Sequence, residues 1–66
     1  MNQETVKPFF EKEIAVGVKN KYDQSRLFYH FGRMIDFNEY GITIIKNDSV
    51  RQLFYTEICE IHVNEG

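Results

Sequence analysis

The chain has almost no covalent or metallic means of bracing itself. Of its 66 residues only one is cysteine, Cys59, so no disulfide can form within it. Its two histidines, His30 and His62, stand far apart with no cysteine pair near them. A closed zinc site wants four such ligands, and that set is missing. A chain of this size buries only about 60% of the surface that its unfolded form exposes. Small domains usually add a disulfide, a metal or a partner subunit. With the first two gone, partner copies of the same chain are expected. The ten aromatic residues, 4 tyrosines and 6 phenylalanines, point the same way, because they are many for so small an interior.

Other absences narrow the function. No apolar run approaches the ~20 residues of a membrane-spanning helix. The N-terminal stretch MNQETVKPFF lacks the basic-then-apolar pattern of a signal peptide. The net charge is -2 and the pI about 5.6, so no strong basic field calls for double-stranded DNA or an anionic membrane. A single thiol fits a reducing compartment. A soluble, cytoplasmic protein is expected, without a membrane partner. Repeats, low-complexity segments and linkers are absent, so residues 1–66 read as a single domain. There is no phosphate loop, no nucleophile–base motif and no metal set. No enzyme and no cofactor are expected.

What is present is β patterning. Residues 1–12 form a polar tail or a short helix, with Val6, Phe9 and Phe10 as its apolar members. Pro8 suits a first helical position, which places a helix at roughly Pro8 to Glu13. From Glu13 the period becomes two: Ile14, Val16 and Val18 alternate with Ala15, Gly17 and Lys19. The polar stretch NKYDQS is a turn. RLFYHFGRMIDFN then reads as a long strand, with Leu27, Tyr29 and Phe31 on one face and Phe28 and His30 on the other. Gly32 lies inside it, and an interior glycine often marks a bend or a bulge. Asn38-Glu39 make a tight turn. GITIIK is a third strand, NDS ends it, VRQLFYT is a fourth and EICEIHV a fifth. Five short strands, one of them bent, read as a mainly β, partly open antiparallel barrel over residues 13–63. The fourth strand carries Leu53, Phe54 and Tyr55 in a row with little charge to protect an open edge. Edge pairing with copies of itself, head to tail, closes a ring where the rotation allows.

Gly32, Met34, Phe37, Asn38, Tyr40 and the following ITII, with Leu53, Ile58 and Ile61 further on, resemble the two motifs of the Sm-like family, which includes its bacterial branch Hfq. The resemblance spans roughly residues 13–63. It implies a five-stranded, strongly bent small barrel behind a short N-terminal helix, assembled as a homo-oligomeric ring. It further implies binding of single-stranded RNA, U-rich or A-rich, at the pore. Tyr40 falls where the family stacks an aromatic on a base, and Asn38 where an aspartate usually orients the site. Phe54, Tyr55 and Thr56 fall near the Arg-Gly of Sm proteins or the Tyr-Lys-His of Hfq. The RNA-binding candidates are thus Asn38, Tyr40, Tyr55 and Thr56, and the subunit-interface candidates Leu53, Phe54, Ile58 and Ile61. The chain departs from the family in having Gly41-Ile42 for Met-Asn, and in lacking both the Arg-Gly and a Lys-His pair.

Each candidate also has a plainer reading. Stacking one base on a ring is worth about 1–3 kcal/mol, but Tyr40 can equally be a rim aromatic packed on a neighbour. Asn38 is a favoured turn residue that bonds its own chain. Phe54 and Tyr55 can be core or interface aromatics, and Thr56 an ordinary exposed β-branched residue. Lys19, Lys21 and Arg26 flank the first turn, and Lys46 and Arg51 the third. A ring would multiply these groups and attract phosphates, or they can simply solvate turns. Arg33 points outward or pairs with Asp36. The rival to RNA binding is a ring that serves as a structural or protein-interaction module.

Overall fold

The computed structural model describes residues 1–23 and 25–64. Helix α1 (Gln3–Val6) leads into a single 3₁₀ turn, Lys7–Phe9, and five strands follow: β1 (Glu13–Lys19), β2 (Leu27–Phe37), β3 (Gly41–Lys46), β4 (Ser49–Phe54) and β5 (Ile58–Val63). All neighbours run antiparallel, in the order β4-β3-β2-β1-β5. The five antiparallel strands form one open sheet with two free edges. Among the described residues no ladder joins β4 to β5, so these two strands are the edges.

The helix begins earlier than Pro8 suggested. Asn2 caps it: its Oδ1 accepts from the Thr5 amide at 3.0 Å and the Thr5 hydroxyl at 3.1 Å. Such a cap satisfies donors that the first turn leaves unpaired. Pro8 sits instead in the 3₁₀ turn, where its missing N–H costs nothing. Nothing helical reaches Glu13. Glu11 takes a left-handed φ of 65° and its amide donates to the Met34 carbonyl at 2.8 Å, while the Met34 amide donates back to the Lys12 carbonyl at 3.1 Å. The segment is therefore stitched to β2 and delivered into β1. Val6, fully buried, anchors the helix to the core, and Phe10 meets Phe37 edge to face at 5.5 Å between centroids.

The alternation of β1 is realised as read, with Ile14, Val16 and Val18 buried. They join Met34, Ile42, Ile44, Leu53, Tyr55 and Ile58 in the core. Each such aliphatic side chain contributes roughly 1.5–3 kcal/mol when fully buried. β3 and β4 are joined by Asn47 and Asp48, both left-handed, at φ 51° and 65°. That is the backbone a two-residue hairpin requires, because its twist matches that of the strands.

β2 is the longest strand and changes partners along its length. Residues Leu27 to Arg33 pair with β1, from Lys19↔Leu27 to Glu13↔Arg33. Only from Arg33, opposite Ile45, does β3 join its other side. The bulge falls not at Gly32 but between Met34 and Asp36. Gly32 instead makes room at the changeover. A Cβ there would lie 2.7 Å from the Ile45 carbonyl oxygen, so the absent side chain lets β3 approach β2.

Candidate functional site

The β2–β3 turn is built by Asn38. Its Oδ1 accepts from the Tyr40 amide at 2.8 Å and the Gly41 amide at 3.1 Å, and its own amide donates to the Gly41 carbonyl at 2.9 Å. This is the local bonding for which asparagine is favoured in turns. The side-chain oxygen is thereby committed to the backbone. The Asn38 carbonyl accepts from the Tyr55 hydroxyl at 2.7 Å, and the Tyr55 amide donates to the Tyr40 carbonyl at 3.0 Å. Tyr55 is 9% exposed, so its ring belongs to the core and its hydroxyl ties the turn down. Burial pushes that hydroxyl's pKa above its ordinary value of 10.0.

The effect of these bonds is to hold Tyr40 outward. Its side chain is 67% exposed, the most open aromatic outside the β1–β2 turn. Directly behind it Gly41 pairs with Phe54, and a Cβ on Gly41 would overlap the Leu53 carbonyl oxygen. The missing side chain lets the two strands close up under the ring. Tyr40, Thr43, Gln52 and Phe54 surround a shallow pocket of about 190 Å³. Tyr40 and Phe54 are its aromatic lining residues, and Thr43 and Gln52, partners across β3 and β4, are polar ones. The pocket can take a flat, uncharged ring with hydrogen-bonding edges. Among the described residues no lysine or arginine lines it.

The structure therefore brings Asn38, Tyr40 and Tyr55 together, but in different roles: Asn38 and Tyr55 build the turn and Tyr40 presents a surface. Thr56 is exposed in the turn after β4 and does not line this pocket. The run VRQLFYT extends the expected fourth strand through Tyr55 and Thr56, but β4 ends at Phe54, and the Glu57 amide donates to the Phe54 carbonyl at 2.9 Å to turn the chain into β5. The four interface candidates lie on the two edge strands. Leu53 and Ile58 are buried in the chain's own core and Ile61 packs against it, whereas Phe54 is 49% exposed.

Sequence reasoning passed over two side chains of this pocket, Thr43 and Gln52. Period-two alternation in GITIIK puts Thr43 on the face opposite the buried Ile42 and Ile44. Gln52 could have been found from the Asn47-Asp48 hairpin, which sets it opposite Thr43. Elsewhere the first turn bonds to itself: Asn20 Oδ1 accepts from the Tyr22 amide at 2.8 Å, and Arg26 pairs with Asp23 at 3.5 Å. The hydrogen bonds from Ser25 hold the Asp23 carboxyl below its ordinary pKa. No helix among the described residues is long and apolar enough to cross a membrane. Set against known protein families, curated proteins and solved structures, the chain has no significant match.

Proposed function

We propose that the chain is an Sm-like, Hfq-like subunit that assembles through its sheet edges into a homo-oligomeric ring and binds single-stranded RNA without catalysis. The observation that carries this reading is Tyr40, held outward on a braced turn beside Phe54 and above Thr43 and Gln52. An unstacked base stacks on such a ring, and its edge finds the hydroxyl and amide. The strand order and the open edges β4 and β5 support the assembly, since each edge offers unpaired backbone groups to another copy. Phe54 and Val50 on β4 and Val63 on β5 are exposed apolar side chains that can reinforce that contact, with the partly buried Ile61 beside them. With no cation in the pocket, stacking would dominate and salt would weaken binding only mildly. Where phosphate contacts carry the affinity, it falls steeply with salt.

The test is light-scattering mass after gel filtration, repeated with fluorescent oligo-U and oligo-A. A ring mass with co-eluting label is expected, and Tyr40→Ala should release the label while leaving the mass unchanged. A monomer would overturn the assembly.

A second reading, a ring that holds protein rather than RNA, is favoured by Glu39 beside Tyr40 and by Thr56-Glu57, which put an acid and no base after β4. A ring that elutes without either oligonucleotide would select it.

A further inference from the structure

β2 leaves one of its edges open. Leu27 to Gly32 are paired to β1 on one side, and among the described residues no strand is paired to them on the other, because β3 joins only from Arg33. The β3–β4 hairpin instead runs on beside this half-strand without bonding to it. Between the two lies a cleft of about 320 Å³ bordered by Tyr29, His30, Phe31, Lys46, Ser49 and Arg51. Its charge is opposite to that of the chain as a whole: net -2 overall, yet lysine and arginine here and, among the described residues, no carboxylate on its wall, the nearest being Glu60, which accepts from the Tyr29 hydroxyl. Lys46 Nζ stands 5.4 Å from the centre of the Phe31 ring. Among the described residues neither Lys46 nor Arg51 is ion-paired. The two rings, Tyr29 and Phe31, are about half exposed on the same stretch.

We infer that this cleft receives an extended acidic peptide, which joins the sheet as an added strand along Leu27–Gly32. A free strand edge recognises an extended chain by main-chain hydrogen bonds, and the alternate side chains choose the sequence. Here one set of side chains would lie against Tyr29 and Phe31. The carboxylates would meet Lys46 and Arg51, whose charges then gain partners. Nucleic acid would satisfy the cations but not the unpaired backbone of β2. That backbone is why peptide is the favoured occupant. Tyr40 and its pocket take no part, so this site and the RNA site fail independently.

The probe is a fluorescein-labelled peptide of eight alternating glutamate and valine residues, followed by anisotropy. Three controls accompany it: the lysine–valine counterpart, the same glutamate–valine peptide N-methylated at alternate residues, and labelled oligo-U. The acidic peptide is expected to bind and the basic one not. N-methylation, which removes strand donors and keeps every charge, should weaken binding tenfold or more. The paired variant Lys46→Glu, Arg51→Glu should do the same, Lys46→Arg should bind as the parent chain does, and Tyr40→Ala should leave peptide affinity unchanged. Circular dichroism confirms that the exposed charge variants remain folded. Equal binding of the N-methylated peptide would overturn the added strand and leave only charge attraction. An affinity untouched by the charge reversal would overturn the cleft as the site. Loss of oligo-U but not of peptide on that reversal would assign the cleft to nucleic acid, and a bound fraction of peptide that falls as the protein concentration rises into the range of self-association would assign it to a second copy.

Discussion

The first half of β2, LFYHF, is the more aromatic and less charged of the two, yet its rings are the more exposed; the second half, RMIDF, carries the buried Met34. From Arg33 onward the strand pairs with β3, and on its other edge Met34 exchanges hydrogen bonds with Glu11 and Lys12; Met34 is fully buried and Phe37 packs on the core and on Phe10, while Ile35 stays 40% exposed. Before Gly32 it has β1 alone, and Phe28, Tyr29 and Phe31 are 54%, 47% and 43% exposed. The same aromatic and aliphatic residue types thus serve stability in one half and offer surface in the other. The difference is set by where β3 arrives and not by hydrophobicity. A strand is buried when a second strand and a second layer reach it, and β3 is 6 residues long against 11 in β2.

The largest test of this contrast removes a side chain from each half. Met34→Ala should cost about 2–5 kcal/mol, the range for truncating a buried aliphatic side chain. Phe31→Ala should cost under roughly 1 kcal/mol, since an exposed ring loses little packing. Urea midpoints for both variants, at unchanged slope, would check it. Equal costs would mean that the first half is buried in the native assembly.

Next comes the changeover. Gly32→Ala forces a methyl group against the Ile45 carbonyl and should cost about 1–3 kcal/mol, as overpacking does. Thermal unfolding reads it, and a neutral result would remove the close approach that separates the two halves.

The hydrogen bond that ties down the β2–β3 turn sits at the far end of the buried half. Tyr55→Phe deletes the donor to the Asn38 carbonyl while keeping the ring, and should cost about 0.5–1.5 kcal/mol. Where the bond also serves to hold Tyr40 outward, oligonucleotide binding should weaken with it.

The alternation of β1 and the Asn38 turn were legible in the residues, because each depends on near neighbours; the NDS stretch marked a strand end, but its two-residue left-handed hairpin, with Ser49 already in β4, came from the structure. The start of the helix was not. Pro8 is a strong local signal, yet Asn2 with Thr5 makes a cap three residues apart, and the Glu11–Met34 bond then fixes where the segment must end. Tyr40 could be picked out as a rim aromatic from its place between two strands. Tyr55 was open between core and surface in the residues alone, and β4 stops two residues short of the strand its composition suggested.

The smallest expected effect concerns pH in the open half. Burial, with Arg51 nearby, holds the His30 imidazole below its ordinary pKa of 6.5. The folded chain therefore resists protonation there more than the unfolded chain does. The unfolded state binds the extra proton first, so stability should decline slightly as pH falls from 7 through 6.5 toward the lowered value. His30→Gln should flatten that part of a midpoint-against-pH curve relative to the parent chain, and Arg51→Ala should reduce its slope. A curve that instead rises on acidification would mean that His30 gains an acidic partner in the assembled protein.

By itself the sequence determined the β class, the strands and the turns between them, since period-two alternation and the residues tolerant of left-handed backbone act over a few positions. Only the tertiary structure decided that Tyr55 and Leu53 go to the core while Tyr40 and Phe54 do not, and that the first half of β2 has a strand on one edge only. Those outcomes depend on register between strands distant in the chain, and a register is settled by the summed packing of both partners.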